Sequence, residues 1–280
     1  MSFTAVFAQT LPEKIIFSDM TEFYNTVLYV MTAIFGLCVG SFLNVVIYRV
    51  PENMSIAMPP SHCTKCGYML KWYDNIPIFS YLFLGGKCRK CREPISPRYM
   101  FVEISNAVLW LLAVWRFWTE SWIYAIICAI SFSVCIIIFF IDLKHLLIFD
   151  RFQIIMAVLA LASVFFDGQG ILTHIIGCVS AFVLFYLLAL VFEKLTGNEA
   201  LGGGDIKFAA VSGLFLGWQK FLLMILIASL GACVAIMISK RKNNDENGKQ
   251  YPFGPFLTSG FVISALFGSP VIAIYLSLLS

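Results

Sequence analysis

Long runs of apolar residues, separated by short polar stretches, dominate the pattern along this chain. Most of the runs approach the ~20 residues that an α-helix needs to cross the hydrocarbon core of a bilayer. They occupy residues 26–47, 100–118, 122–141, 152–166, 170–192, 220–239 and 256–279, with a shorter run at 206–218. The pattern predicts an all-α protein that crosses a membrane many times.

The positions of Lys and Arg predict the topology, because short loops rich in these residues remain on the cytoplasmic side. If the short run 206–218 is a span of its own, the chain has eight spans and both termini lie outside. Sixteen of the nineteen Lys and Arg residues are then cytoplasmic, the exceptions being Lys14, Arg116 and Lys220. We therefore predict about eight transmembrane helices. A re-entrant 206–218 is the alternative.

Composition agrees with lipid as the main solvent, since 60% of the residues are hydrophobic and only 12% are charged. The first residues show no basic start, apolar stretch and cleavage site of a removable signal peptide. Nothing resembles a nucleic-acid-binding module. The predicted organisation is a periplasmic segment (1–25), a first transmembrane helix (26–47), a cytoplasmic loop domain (48–99) and a transmembrane core (100–280).

The loop at 48–99 contains two CxxC pairs separated by twenty-one residues, formed by Cys63, Cys66, Cys88 and Cys91. This spacing is typical of a zinc ribbon, in which four thiolates surround one structural Zn²⁺. Two disulfides, or four reduced thiols without metal, are the alternatives. The loop carries eight basic residues against three acidic ones, which places it in the reducing cytoplasm and favours zinc.

Two aspartates lie where apolar runs meet the predicted cytoplasmic face. Asp142 ends one run, and Asp205 follows Gly202, Gly203 and Gly204. Carboxylates at membrane depth indicate function, although a charge at the end of a helix that reaches water explains either residue alone. Glycines allow a substrate backbone to approach closely, or they simply form a turn that Asp205 caps. We predict that Asp142 and Asp205 form an aspartic-protease pair.

The order of several motifs resembles the type IV prepilin peptidases, the leader peptidases of type IV pilus and type II secretion systems. The resemblance extends from about residue 36 to about 260. Its parts are the two CxxC pairs together with GSFLNVVIYRVP (40–51), SPRYMFVE (96–103), FIDLKHLLIFD (140–150), GGGDIK (202–207) and PFGPFLTSG (252–260).

This resemblance implies a GxGD-type aspartic endopeptidase of the bacterial inner membrane, with Asp142 and Asp205 in the catalytic positions. It also implies the substrates, which are prepilin and pseudopilin precursors cut on the cytoplasmic side after a Gly. Many members then methylate the new amino terminus with S-adenosylmethionine, an activity associated here with roughly residues 40–103. No sequence pattern in the chain identifies residues that bind this cofactor.

Four further residues are predicted to support the site: Gly202, Gly204 and Lys207 of the glycine motif, and Asp150. The family usually has Pro before the second Asp of its aspartate motif, whereas this chain has Phe149. The loop therefore lacks one fixed dihedral angle. Since both predicted catalytic aspartates are present, we expect activity to be retained.

Two alternatives follow from the aspartates alone. A presenilin-like intramembrane protease shares the glycine-aspartate motif but has no tetracysteine loop. A proton-coupled transporter uses intramembrane carboxylates as a relay. Such a transporter has no use for a zinc loop, and the predicted spans contain few polar residues to line a solute pathway.

Overall fold

The structure, a computed structural model, describes residues 13–197, 202–242 and 251–279. The helices are α1 (Glu13–Arg49), α2 (Phe79–Phe83), α3 (Arg98–Phe117), α4 (Trp122–His145), α5 (Asp150–Ser163), α6 (Ile171–Thr196), α7 (Gly203–Lys242) and α8 (Gly254–Leu279), with a 3₁₀ turn at Trp72–Asn75. In the described residues, β-structure is limited to two isolated bridges within the cysteine loop. The predicted all-α membrane fold with a small cysteine loop is confirmed.

Six of the described helices, α1, α3, α4, α6, α7 and α8, are long and apolar enough to cross a membrane. Helix α1 begins at Glu13, well before the predicted first span. Helix α5 has only 14 residues. Within α7, Gly217 has a non-helical backbone with φ 75° and ψ 167° and divides the helix in two. The predicted count of eight spans depends on α5 and on the two parts of α7, and it stays a prediction.

The contacts of α7 show that the chain reverses direction at Gly217. Two contacts align 218–242 antiparallel to α8, namely Gly231 with Phe256 and Lys220 with Gly268. The first part, 203–216, runs in the other direction. It begins at the end of the bundle where α8 also begins, because Asp205 interacts electrostatically with Asp142, and Asp142 binds the Gly254 N–H at the start of α8. A positive φ at the reversal suits glycine, which has no Cβ to clash with the backbone.

Glycines also set the closest helix–helix approaches. In α1, a Cβ on Gly36 or on Gly40 would lie 2.7 Å from the Cα of Ala107 or of Glu103 in α3. In a membrane, no hydrophobic force drives helices together, because lipid is as apolar as their side chains. Association depends instead on close packing, which small residues such as glycine allow. Gly177 of α6 makes a similar backbone contact with α7. These pairs therefore join α1 to α3 and α6 to α7.

Helix α4 is the most buried of the candidate spans and lies at the centre of the bundle. A polar network connects it to α1 and α3: Asn106 donates to the carbonyl of Gly36 at 2.7 Å, and Ser133 of α4 donates to Asn106 at 2.7 Å. The turn 118–121 joins α3 to α4, so these two helices are antiparallel. The start of α3 and the end of α4 therefore lie at the same end of the bundle.

Candidate active site

Asp142 lies in the last turn of α4 and is 5% exposed. The helix ends just after it, at Leu146, whose left-handed backbone (φ 55°) lets its N–H bond to the Asp142 carbonyl at 2.9 Å. The backbone N–H of Gly254, at the start of α8, donates to Asp142 Oδ2 at 2.9 Å. One carboxyl oxygen of Asp142 is thus held by a residue 112 positions away in the chain.

Asp205 lies in the first turn of α7 and is half-buried. Its N–H bonds to the carbonyl of Gly202 at 2.9 Å, which closes the turn of the glycine run. The Asp205 carboxyl interacts electrostatically with that of Asp142. The structure therefore brings together the two aspartates that the sequence analysis selected, although they belong to different helices.

The three glycines before Asp205 differ in how closely they are packed. A Cβ on Gly204 would lie 3.0 Å from the Ile148 Cβ, so this glycine allows the start of α7 to approach the loop after α4. A Cβ on Gly202 would make an ordinary 3.4 Å contact with Asp205 Oδ2, and one on Gly203 would meet nothing within 4 Å. Close packing thus requires glycine only at Gly204.

Gly254 is a site residue to which the sequence analysis gave no role. A Cβ there would lie 2.6 Å from Asp142 Oδ2 and 2.9 Å from its Cγ, closer than real Cβ contacts. The residue belongs to PFGPFLTSG, one of the motifs that carry the family resemblance. That motif was the available signal, but its contact with Asp142 depends on how α8 packs.

Two interactions hold the segments that carry the aspartates. Lys207 Nζ lies 2.7 Å from Asp150 Oδ1, joining the start of α7 to the start of α5. Gln153 Nε2, a buried donor that the sequence analysis did not select, binds the carbonyl of Gly204 at 2.8 Å. Asp150 and Lys207, two of the predicted supporting residues, therefore form an ion pair with each other between the starts of α5 and α7.

The four cysteines of the loop converge on one point, with all four sulfurs within 4.8 Å of one another. The Sγ atoms of Cys63 and Cys91 are 3.8 Å apart, and those of Cys66 and Cys88 are 4.0 Å apart. Zn–S bonds of about 2.3 Å in a tetrahedron place sulfurs about 3.8 Å apart. The cysteines are free thiols. The cluster fits a zinc ion and not two disulfides.

The two CxxC turns have the same backbone hydrogen bonds. In each turn the first cysteine receives a bond from the N–H four residues later and donates to the carbonyl five residues later. These bonds are Gly67 N to Cys63 O and Cys63 N to Tyr68 O in the first turn, and Arg92 N to Cys88 O and Cys88 N to Glu93 O in the second. The fifth residue of each turn has a positive φ, 66° at Gly67 and 60° at Arg92. The two turns form matching halves of one site.

Two of the four thiols differ strongly in how readily they ionise. Hydrogen bonds from the N–H groups of Cys66 and Lys65 lower the pKa of Cys63 to about 6. For Cys91, the N–H of Glu93 acts to lower the pKa, but burial and the three neighbouring sulfurs raise it to about 12. A divalent metal ion would favour the thiolate form of all four cysteines, since a coordinating thiol loses its proton.

Asp74 connects the two cysteine turns from the 3₁₀ segment. Its buried carboxylate accepts from Arg89 Nε at 2.6 Å and from the Tyr68 hydroxyl at 3.0 Å, one residue from each turn region. Burial acts to raise the pKa of Asp74, but the hydrogen bond from Arg89 and its neighbours outweighs burial and lowers it. The loop thus contains an ion pair with a buried carboxylate in addition to the four-cysteine cluster.

Comparisons of the chain with family models and with curated proteins agree on one family. Residues 34–117 match the Bacterial Peptidase A24 N-terminal domain, and residues 129–237 match the Type IV leader peptidase family. A prepilin leader peptidase/N-methyltransferase of Myxococcus xanthus is 37% identical over 224 residues, which are 79% of this chain and 66% of that relative. The protein of the same name from Pseudomonas aeruginosa is 32% identical over 88% of this chain and 92% of the relative. No solved structure matches.

Apolar helices that carry an aspartate pair at one end of the bundle, beside a tetracysteine loop, define a membrane-embedded aspartic peptidase. The chain belongs to the type IV leader peptidase family, as the sequence analysis predicted. It is therefore an enzyme, and its curated relatives are named for both a peptidase and an N-methyltransferase activity.

Proposed function

We propose that this protein removes the leader peptide of type IV prepilins and pseudopilins and then methylates the new amino terminus. Cleavage takes place after a Gly, at the cytoplasmic face of a bacterial inner membrane. The observation that carries the proposal is the meeting of Asp142 and Asp205, from two different helices, at one end of the bundle. The names of the relatives support the substrate class.

The pair hydrolyses a peptide bond by sharing one proton. The ionised carboxylate takes a proton from water, while the protonated carboxyl donates its proton to the carbonyl oxygen of the substrate. Two neighbouring carboxyls favour this state, because both cannot carry a charge at once without strong repulsion. The Gly254 N–H fixes Asp142 during the reaction, and the Gly202 carbonyl fixes the backbone of Asp205.

The distribution of charge supports a cytoplasmic location for the pair. Lys220 interacts electrostatically with Asp167 and lies near Arg116, and both basic residues are among the three that the eight-span topology places outside. They lie at the end of the bundle opposite the aspartates, since Lys220 contacts α8 near Gly268. In this arrangement the cysteine loop and the aspartate pair face the cytoplasm together.

Cys63, Cys66, Cys88 and Cys91 hold a structural Zn²⁺ in this proposal. The sulfur separations near 3.8 Å support it. Four protein ligands leave no open coordination position, so the ion orders the loop and takes no part in hydrolysis. A loop of about fifty residues has too small a core to stay ordered without such a staple.

Incubation of the purified protein with a prepilin precursor tests the function. Mass spectrometry follows the loss of the leader and the gain of a methyl group on the mature chain. Asp142→Asn and Asp205→Asn each abolish cleavage, because the amide can neither take nor share the proton. The control is Glu193→Gln, which removes an exposed carboxylate from the end of α6 and leaves cleavage at the wild-type rate.

If either asparagine variant cleaves as well as the wild type, the aspartate pair is not the catalytic site. A pre-cleaved pilin, offered to the same variants with S-adenosylmethionine, separates the two activities. The proposal requires that both asparagine variants still methylate this substrate, since neither aspartate acts in methyl transfer.

A further inference from the structure

A cavity of about 460 Å³ lies between the loop domain and the membrane helices, and neither Asp142 nor Asp205 lines it. Its walls come from the end of α1, the start of α3 and the cysteine loop, and they include Ser41, Asn44, Tyr48, Tyr81, Tyr99 and Glu103. The volume lies within the ~300–1,000 Å³ that is usual for small-molecule sites.

Asn44 is one of the residues that line the cavity, and it has an unsatisfied acceptor. The residue is 3% exposed, and its Nδ2 group donates to the Tyr99 carbonyl at 3.0 Å. Its Oδ1 atom is buried and has no hydrogen-bond partner. A buried acceptor without a partner is unfavourable, so this atom is suited to a donor from a ligand.

Glu103 places a negative charge in the same wall. It is 8% exposed, and its Oε2 accepts the N–H of Ile78 at 2.8 Å, which holds the carboxylate where α3 meets the loop. Among the described residues Glu103 forms no ion pair. A carboxylate taken out of water in this way favours a cationic group next to it, whereas Arg49, Lys65 and Arg89 elsewhere in the lining favour an anionic group of the same ligand.

The wall therefore offers a carboxylate without an ion-pair partner, an unfilled acceptor and four tyrosines. A ligand that matches it carries a positive charge, hydrogen-bond donors and a flat aromatic group. S-adenosylmethionine has all three, in its sulfonium and ammonium groups, its ribose and amino donors, and its adenine. We propose that this cavity is the S-adenosylmethionine site, in which Glu103 faces the cationic part and Asn44 Oδ1 accepts from a donor. This inference rests on the proposed methyl transfer.

The position of the cavity also suits the order of the two reactions. Glu103 and Tyr99 lie in the first turns of α3, and the start of α3 shares one end of the bundle with Asp142 at the end of α4. Cleavage by the aspartates creates a free amine at that same end. The methyl donor is thus held on the face where its acceptor is produced.

Calorimetric titration of the purified full-length protein with S-adenosylmethionine tests the site directly. Glu103→Gln keeps an acceptor for the Ile78 N–H but removes the charge, so we expect the Kd for S-adenosylmethionine to rise roughly tenfold to a hundredfold. S-adenosylhomocysteine lacks the sulfonium charge. Glu103→Gln should therefore raise its Kd by a factor several-fold smaller than the factor for S-adenosylmethionine. Glu120→Gln, in the turn after α3 at the opposite end, is the matched control and leaves both Kd values unchanged.

Asn44→Leu is expected to weaken both ligands by about tenfold or more, because the acceptor is lost. Cleavage of a prepilin by these variants should remain at the wild-type rate, which also shows that they fold. If both variants cleave normally and bind S-adenosylmethionine with the wild-type Kd, the cavity is not the site. If the wild type methylates a pilin while these Kd values do not change, the function stands and this inference fails.

Amide hydrogen exchange of the wild type gives a test that does not depend on variants. Addition of S-adenosylmethionine should slow exchange in residues 41–49, 61–70 and 96–103. Protection confined to other parts of the chain would place the ligand elsewhere. A wild type that neither binds the ligand nor methylates a cleaved pilin would overturn the proposed methyl transfer and this inference together.

Discussion

Gly254→Ala is the substitution that tests the geometry of the aspartate pair most directly. The added methyl group would lie 2.6 Å from Asp142 Oδ2, whereas ordinary contacts begin near 3.4 Å. The carboxyl group or the start of α8 must therefore move by about 0.8 Å, the difference between these two distances. Either movement would displace Asp142 from its present position and disturb the 2.9 Å hydrogen bond from the Gly254 N–H.

The size of the effect follows from that displacement. A misplacement of about 1 Å at a catalytic group lowers a rate by roughly 10²-fold. This corresponds to about 2.7 kcal/mol in the activation free energy, at 1.36 kcal/mol for each factor of ten. We expect kcat for leader cleavage to fall by about that factor, with little change in KM, because the added methyl group contacts the carboxyl group of Asp142.

The assay is steady-state cleavage of a prepilin, with methylation of a pre-cleaved pilin measured on the same preparation. Gly203→Ala is the matched control, because a Cβ there meets nothing within 4 Å although the residue lies only two positions before Asp205. It should change kcat less than twofold. Wild-type methylation by Gly254→Ala would show that the variant is folded.

Two results would refute the reasoning about Gly254. One is cleavage by Gly254→Ala at the wild-type rate, which would mean that the contact with Asp142 is irrelevant or easily relieved. The other is an equal loss in Gly203→Ala, which would mean that any added methyl group in this region is harmful and that the 2.6 Å contact has no special role.

Three further predictions concern the loop and the rim of the site. Cys63→Ser and Cys88→Ser should each lose zinc in elemental analysis and make the loop sensitive to trypsin, and unchanged zinc content would contradict the metal site. Arg92 has φ 60°, so Arg92→Val should destabilise the loop by about 1–2 kcal/mol relative to Arg92→Asn, measured as loop proteolysis, because Asn tolerates this backbone conformation. Lys207→Met breaks an exposed ion pair worth about 0–1 kcal/mol, so cleavage should fall less than about fivefold, and complete loss would assign Lys207 a direct role.

The sequence was sufficient for properties that depend on short segments. Runs of apolar residues near 20 in length identify membrane helices, because each backbone group must form its hydrogen bond within the helix when lipid is the solvent. The spacing of the two CxxC pairs identified a metal-type cluster, because each cysteine turn is local. These features explain why the all-α class and the family could be predicted.

The lengths of the apolar runs did not determine the number of spans. Six described helices meet the criteria for a span, but α5 is short and Gly217 divides α7 in two. The apolar run 206–218 contains no sequence signal that separates a short crossing from a re-entrant turn. Its direction is evident only from contacts such as Lys220 with Gly268, which show the reversal at Gly217.

By itself, the sequence determined the apolar segments, the cysteine turns and two aspartates at the ends of helices, because each is encoded within a few neighbouring residues. Only the tertiary structure decided that Gly254 holds Asp142 across 112 positions and that Asn44 and Glu103 line one cavity. Such contacts depend on which helix faces pack together, and packing is set by the shapes of all the helices at once. Short segments of the sequence therefore supply the reactive groups, while the packing of the helices aligns them.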